Sequence, residues 1–304
     1  MDINPSCLFC GESARYVYDM DEYQVYQCVS CGTGFVHPMP AGSALSKLYD
    51  GFLPDLNVKK MPGMLNIASR LFQQFDLEKG HHLKMLDIGS GGGYFCKAFE
   101  ELNYGLATYV DLDPQSCRFA QKKLGLERVY NVDAMRIHEI TKETYDFMYC
   151  RHLIEHMPDP TGFLLRIIES LNTGGIFVVQ FPNGDSLEYF AYTHLNIVHR
   201  FNKIRKSNNF SALKTFRLML FGKMLHGMDP PRHLWAVSRK GIVQWSKRNN
   251  ISCKTDTRHL GDLPFSPGYF RKMGLKERTR DFIGQKLLAP IRGGTHLVAT
   301  LRNR

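Results

Sequence analysis

Hydrophobic and polar positions divide the chain into a small leading module and a long alternation of strands and helices. Residues 1–40 contain a loosely alternating aromatic and β-branched stretch, Arg15–Gln27, which predicts a hairpin. Residues 41–80 read as a linker with a short helix ending near Tyr49. A second, amphipathic helix follows, marked by Met64, Ile67 (or Ala68), Leu71, Phe72 and Phe75. From 81 to 304 short apolar runs predict strands at Lys84–Ile88, Gly105–Asp111, Arg128–Asp133, Tyr145–Cys150 and Ile176–Phe181. Between them apolar residues recur at helical spacing, as in Tyr94, Phe95, Ala98, Phe99 and Leu102. Phe163, Leu164, Ile167, Ile168 and Leu171 form another such set, with Gly174-Gly175 closing that helix. Such alternation predicts an α/β fold around a doubly wound parallel sheet. Ile251–His259 and Thr295–Leu301 read as a final antiparallel pair, with a charged helical stretch around Lys276–Leu288 between them.

The alternation is interrupted at about 187–230. Arg200, Lys203, Arg205, Lys206, Lys214, Arg217 and Lys223 supply seven positive charges in 189–228, with no acid. Phe210, Leu213, Phe216, Leu220 and Met224 repeat at helical spacing there, so the segment predicts a helical cap insertion over the substrate side. A basic amphipathic helix suits an anionic membrane surface or a lipid-linked substrate. The plainer alternative is a cap helix with a solvated basic face.

The most informative stretch is Leu86-Asp87-Ile88-Gly89-Ser90-Gly91-Gly92-Gly93-Tyr94-Phe95. Glycines at the end of a strand allow a tight turn and close approach of a ligand to the backbone. A dinucleotide fingerprint fails, because the sixth position counted from Gly89 is Tyr94 rather than a small residue. A phosphate-cradling loop fails too, because no Gly-Lys-Ser/Thr follows. An acid beside the loop suits a ligand that carries positive charge, as S-adenosylmethionine (SAM) does. At Asp87-x-Gly89-x-Gly91-x-Gly93 the chain resembles the class I SAM-dependent methyltransferases. The resemblance covers roughly residues 65–301 and implies a Rossmann-like, seven-stranded sheet.

That resemblance assigns expected roles along the chain. Asp87, Gly89, Ser90, Gly91, Gly93 and Tyr94 would bind the cofactor. Asp111 stands 24 residues after Asp87, near the ~20-residue spacing of a ribose-binding acid, with Leu112 beside it. Asp133 and Ala134 would meet the adenine. Cys150-Arg151-His152-Leu-Ile-Glu155-His156-Met-Pro158 resembles the segment after the fourth strand of small-molecule methyltransferases, with Ile154 in the usual Leu position. Cys150 and Arg151 would adjoin the cofactor. Asp229-Pro-Pro-Arg-His233-Leu-Trp resembles a further family segment and would set His233 over the substrate, with Ser238 capping the next helix. His156 and His233 are the candidate bases, His152 the third, and Glu155 would orient one of them.

Four of the eight cysteines form two knuckles, Cys7-x-x-Cys10 and Cys28-x-x-Cys31. Four thiolates in two close pairs fit a closed, structural Zn²⁺ site in a zinc-ribbon-like module. The N-terminus lacks the basic and apolar regions of a secretory signal, and no apolar run reaches the ~18 residues of a membrane span. A cytoplasmic protein is therefore expected, with peripheral membrane contact through the basic cap as a variant. A net charge of +10 admits nucleic acid, an anionic membrane or an acidic substrate without choosing among them. The expected reaction is O-methylation of a small molecule or of a glycan, nucleotide-sugar or lipid-linked precursor. A four-cysteine module ahead of such a domain also resembles sugar C-methyltransferases and some RNA methyltransferases. The segment at 150–158 lacks the Asn/Asp-Pro-Pro-aromatic pattern of amino-methylating enzymes, which places RNA second.

Overall fold

The computed structural model describes residues 4–40, 56–80, 82–186, 194–220, 227–258 and 294–303. Three strands open the chain: β1 (Ala14–Met20), β2 (Tyr23–Cys28) and β3 (Gly34–Val36). The expected hairpin is β1–β2, paired antiparallel from Ala14↔Cys28 to Met20↔Tyr23. After α1 (Met61–Gln74), the alternation runs β4 (Leu83–Ile88), α2 (Tyr94–Glu101), β5 (Gly105–Asp111), α3 (Pro114–Lys122) and β6 (Val129–Asn131). It continues through the short α4 (Ile137–Ile140), β7 (Tyr145–Arg151), α5 (Pro160–Ile168) and β8 (Leu171–Pro182).

β4 is the centre. Met85, Leu86, Asp87 and Ile88 are all buried, as a strand covered on both faces requires. β5 and then β6 lie parallel on one side of β4, and β7 and then β8 parallel on the other. The chain thus reverses its winding at β4. The crevice beyond the carboxyl ends of β4 and β7 is where such a sheet takes its ligands. β10 (Ile251–Arg258) and β11 (His296–Asn303) complete seven strands, β11 lying antiparallel between β8 and β10.

α1 covers one face of this sheet by burying Ala68, Leu71 and Phe72. The Phe72 ring meets Tyr104, Phe99 and Phe147 edge-on, with centroids 5.1, 5.4 and 5.6 Å away. Of the alternatives Ile67 and Ala68, it is Ala68 that is buried.

One expectation is corrected. Gly174-Gly175 does not close a helix. α5 ends at Ile168, and β8 already pairs Leu171 with Tyr145 before the register shifts to Ile176↔Phe147. The glycine pair sits in that irregularity, Gly174 at φ +80°. In the cap, α6 (His194–Ser207) is followed by α7 (Ala212–Leu220). On α7 Leu213 and Phe216 are exposed while Thr215 is buried, and Phe210 just ahead of it is partly buried against the core. The Leu220 side chain, Met224, the helix near Tyr49 and the stretch Lys276–Leu288 lie outside the described residues. Among the described residues no helix is long and apolar enough to cross a membrane.

The leading module is not freestanding. β9 (Trp235–Ala236) joins it as a fourth strand, Phe35 opposite Trp235 and Gly34 opposite Ala236. α8 (Arg239–Arg248) follows, capped by Ser238, whose hydroxyl accepts from the Gly241 amide at 2.9 Å.

Candidate active site

The glycine loop leaves β4 with Gly89, Gly91, Gly92 and Gly93 at positive φ, where L side chains are disfavoured. A Cβ on Gly92 would lie 2.8 Å from Leu56 Cδ2, so the loop is also closely covered. Tyr94, placed by the sequence at the cofactor, holds that cover. Its hydroxyl accepts from the Asn57 amide at 2.8 Å and donates to the Asn57 carbonyl at 3.1 Å.

Asp87 is fully buried. Ser90 donates to its Oδ2 at 2.6 Å, while Oδ1 is buried with no hydrogen-bond partner among the described residues. Burial pushes its carboxyl up to about 7, against the pull of Ser90. An ammonium placed there would satisfy Oδ1 and favour the carboxylate. Asp111 ends β5. Its Oδ2 accepts from the Tyr109 hydroxyl and its Oδ1 from the Asp113 amide at 2.9 Å. The Tyr109 hydroxyl in turn accepts from the Gly92 amide at 2.7 Å. Tyr109, missed in the sequence, therefore joins the two cofactor-side elements. Asp113 caps α3. Leu112 beside Asp111 is 62% exposed, and Met135 is exposed next to Asp133 and the buried Ala134. Asp133 is exposed and accepts from the Met135 amide at 2.9 Å. The Cys150 side chain is in the core, which leaves its main chain for any ligand contact. Arg151 is half-buried at the end of β7, close enough for its charge to act on Asp87.

The second half of the site lies across the loop. Leu153 packs on Gly89, where a Cβ would come within 3.3 Å of Leu153 Cδ2. Immediately beside it, His152 has a left-handed backbone (φ 51°), an uncommon conformation of the kind found at functional sites. Ile154–His156 forms a 3₁₀ turn that turns Glu155 inward. Glu155 is 1% exposed, and its Oε2 has no hydrogen-bond partner among the described residues. His152 Nδ1 lies 3.1 Å from Glu155 Oε1. Burial would raise the Glu155 carboxyl. The His152 hydrogen bond and the imidazoles of His152, His156 and His233 outweigh it and hold the group at about 2.

His156 and His233 come from segments 77 residues apart, yet their rings are 4.8 Å apart. His156 Nδ1 is 2.6 Å from the Arg232 carbonyl and His233 Nδ1 is 2.6 Å from the Gly227 carbonyl. A carbonyl only accepts, so each Nδ1 carries hydrogen, and Nε2 is the basic nitrogen of each neutral ring. Burial pushes His233 down to about 4, so it is neutral at physiological pH. His152, by contrast, is committed to Glu155 and meets the His296 ring edge-on at 4.9 Å. His296 was not singled out in the sequence. Ligand atoms of Glu155, His156 and His233 lie within 4.8 Å of one another, a set that can hold a proton or a divalent cation.

The four N-terminal cysteines converge separately. Cys7 and Cys31 Sγ are 3.7 Å apart, Cys10 and Cys28 Sγ 3.3 Å, and all four lie within 4.8 Å. The Cys31 amide donates to Cys28 Sγ at 3.4 Å. A hydrogen bond with Cys7, ahead of opposing burial, lowers Cys31 to about 5.

A family model described as a methyltransferase domain matches residues 49–253, more than half of the chain. The chain belongs to the methyltransferase domain family. The ubiquinone biosynthesis O-methyltransferase of Bradyrhizobium sp. (strain ORS 278) is 34% identical over 105 residues, 33% of this chain and 40% of that protein. The mitochondrial ubiquinone biosynthesis O-methyltransferase of Schizosaccharomyces pombe is 28% identical over 121 residues, 38% and 43% respectively. These alignments thus span less than half of the relatives' length. Among solved structures, the plantazolicin methyltransferase BpumL in complex with SAH is 16% identical. That likeness covers 87% of this chain and 91% of the other at a TM-score of 0.45. The methyltransferase domain accounts for the sheet order and the glycine loop together; the four-cysteine module precedes the matched region.

Proposed function

We propose that the chain transfers the methyl group of SAM to a hydroxyl of a small molecule, or of a glycan, nucleotide-sugar or lipid-linked precursor. The observation that carries this reading is the convergence of His156 and His233, each with its tautomer set by a carbonyl, on the buried Glu155 carboxylate beside the glycine loop. The O-methyltransferase names of the relatives agree with it.

Bound SAM supplies an electrophilic methyl group on a sulfonium. Asp87 would take its ammonium, Asp111 its ribose hydroxyls, and Leu112, Asp133 and Ala134 its adenine. His233 Nε2 would accept the proton of the attacking hydroxyl, with Glu155 balancing the imidazolium that forms. His152 and His156 orient Glu155 and complete the wall. Holding the hydroxyl in line with the methyl is the larger part of the work such a site can do. His233→Gln tests the reading: methyl transfer should fall about 10²–10⁴-fold, the usual share of a general base, while SAM affinity stays the same.

The four-cysteine module would hold structural Zn²⁺. Tetrahedral ligation with Zn–S of about 2.3 Å sets sulfur atoms about 3.8 Å apart, close to the separations present. The alternative acceptor is carbon on a nucleotide-linked sugar, with the same histidine removing a carbon-bound proton. That variant draws on the module alone and would show as a C-methylated product.

A further inference from the structure

We propose that the four-cysteine module is a positioning element of the active site, setting the place of His233 and Glu155 through β9. The proposal rests on the reading of His233 and Glu155 as the substrate side.

Residues 234–236 immediately follow His233 and are bonded on both sides. Toward the module, the Val36 amide donates to the Leu234 carbonyl at 3.2 Å, and Phe35 and Gly34 pair with Trp235 and Ala236. Toward the methyltransferase sheet, the Leu234 amide donates to the Glu155 carbonyl at 2.8 Å, and Trp235 Nε1 donates to the Met157 carbonyl at 2.8 Å. The segment carrying His233 and the turn carrying Glu155 therefore share one strand, and β3 is the other wall of that strand.

Side chains lock the arrangement. Trp235 is 1% exposed, stacked on Phe35 at 5.2 Å and edge-on to Phe9 at 5.8 Å. Phe9 lies between Cys7 and Cys10 in the first knuckle. The second knuckle is held through its main chain. Ser238 Oγ donates to the Cys31 carbonyl at 2.7 Å, and Lys240 Nζ donates to the Ser30 carbonyl at 2.6 Å. On its other side the module grips the cap insertion. Asn208 Nδ2 donates to the Asp19 carbonyl, the Asp19 amide donates to Asn208 Oδ1, and Lys203 pairs with Asp21 at 2.7 Å. A module that only bound a distant partner would not need to supply strand partners to the residues after His233. Asp87, Asp111 and the glycine loop make none of these bonds, so the module should act on the substrate side and spare SAM binding.

The test uses the full chain with ¹⁵N-labelled histidine. Trp235→Phe keeps a ring in the stack and removes the donor to Met157. Phe9→Leu perturbs the same stack from the module side, so it tests the module itself, and it also serves if the first variant fails to fold. Both should move the imidazole nitrogen signals of His233 and lower methyl transfer, Trp235→Phe by about tenfold, the scale of one hydrogen bond. SAM affinity should stay within about twofold. Unmoved His233 signals in a folded variant would overturn the proposal, as would SAM affinity that falls in step with methyl transfer. The site reading fails differently: His233→Gln would then leave methyl transfer at the wild-type rate.

Discussion

The backbone amide of Leu234 donates to the carbonyl oxygen of Glu155 at 2.8 Å, so the two arms of the substrate side are fixed to each other by main chain. Side chains on those arms then meet without relying on flexible loops. Glu155→Gln keeps this bond and the side-chain volume but removes the carboxylate that balances His233. Methyl transfer should fall at least tenfold while SAM binding, followed by calorimetry, is unchanged. Equal loss of both would mean that the glutamate supports the fold rather than the reaction.

Asp87 gives the pH prediction. Its carboxyl is raised to about 7 by burial, so without SAM it is largely protonated at lower pH. A protonated carboxyl cannot pair with an ammonium. SAM affinity should therefore weaken by up to about tenfold per pH unit below 7 and level off above it. The sign for the unliganded fold is opposite. Its raised carboxyl contributes stability that is present below the unfolded carboxyl value of about 3.9 and lost as pH rises toward 7. Calorimetric titration from pH 5.5 to 8 checks the first statement, and Asp87→Asn should flatten the profile while weakening binding.

Cys7→Ser should abolish metal binding, taking the stoichiometry from about one Zn²⁺ per chain to near zero. Structural zinc supplies on the order of 10–16 kcal/mol in finger peptides, so residues 1–40 should lose protection from hydrogen exchange. Unchanged metal content by elemental analysis would reject the site.

A chelator separates the base from a bound cation at Glu155, His156 and His233. In the histidine-base account, Mg²⁺ restores none of the rate that EDTA removes by stripping zinc from the four-cysteine module. A rate that EDTA abolishes and Mg²⁺ restores would move the role from proton acceptor to cation ligand.

What was legible in the chain was local. Asp87, the glycine loop and Asp111 belong to one βαβ unit, so their spacing carries their geometry. The cysteine pairs are likewise two short knuckles joined by a hairpin. The substrate side was legible only as a resemblance, because His156 meets His233 through tertiary packing that periodicity does not encode. The union of β3 with β9 was invisible for the same reason: Thr33 meets Ser238 across 205 positions. Leu213 and Phe216 show another limit. Helical spacing reveals a stripe but not which side the protein covers, and here Thr215 faces inward. Gly174-Gly175 marked a break in pattern, and strand pairing at Leu171 places that break inside a strand, at a shift of register, rather than at the end of a helix.

The central claim is methyl transfer to a small acceptor, and the direct measurement uses SAM labelled in its methyl group. The protein is incubated with separated small-molecule and glycan, lipid, protein and RNA fractions of its source cell. The account predicts label in the small-molecule, glycan or lipid fraction, lost with His233→Gln. Label confined to RNA, or no label together with no SAM binding, would contradict it.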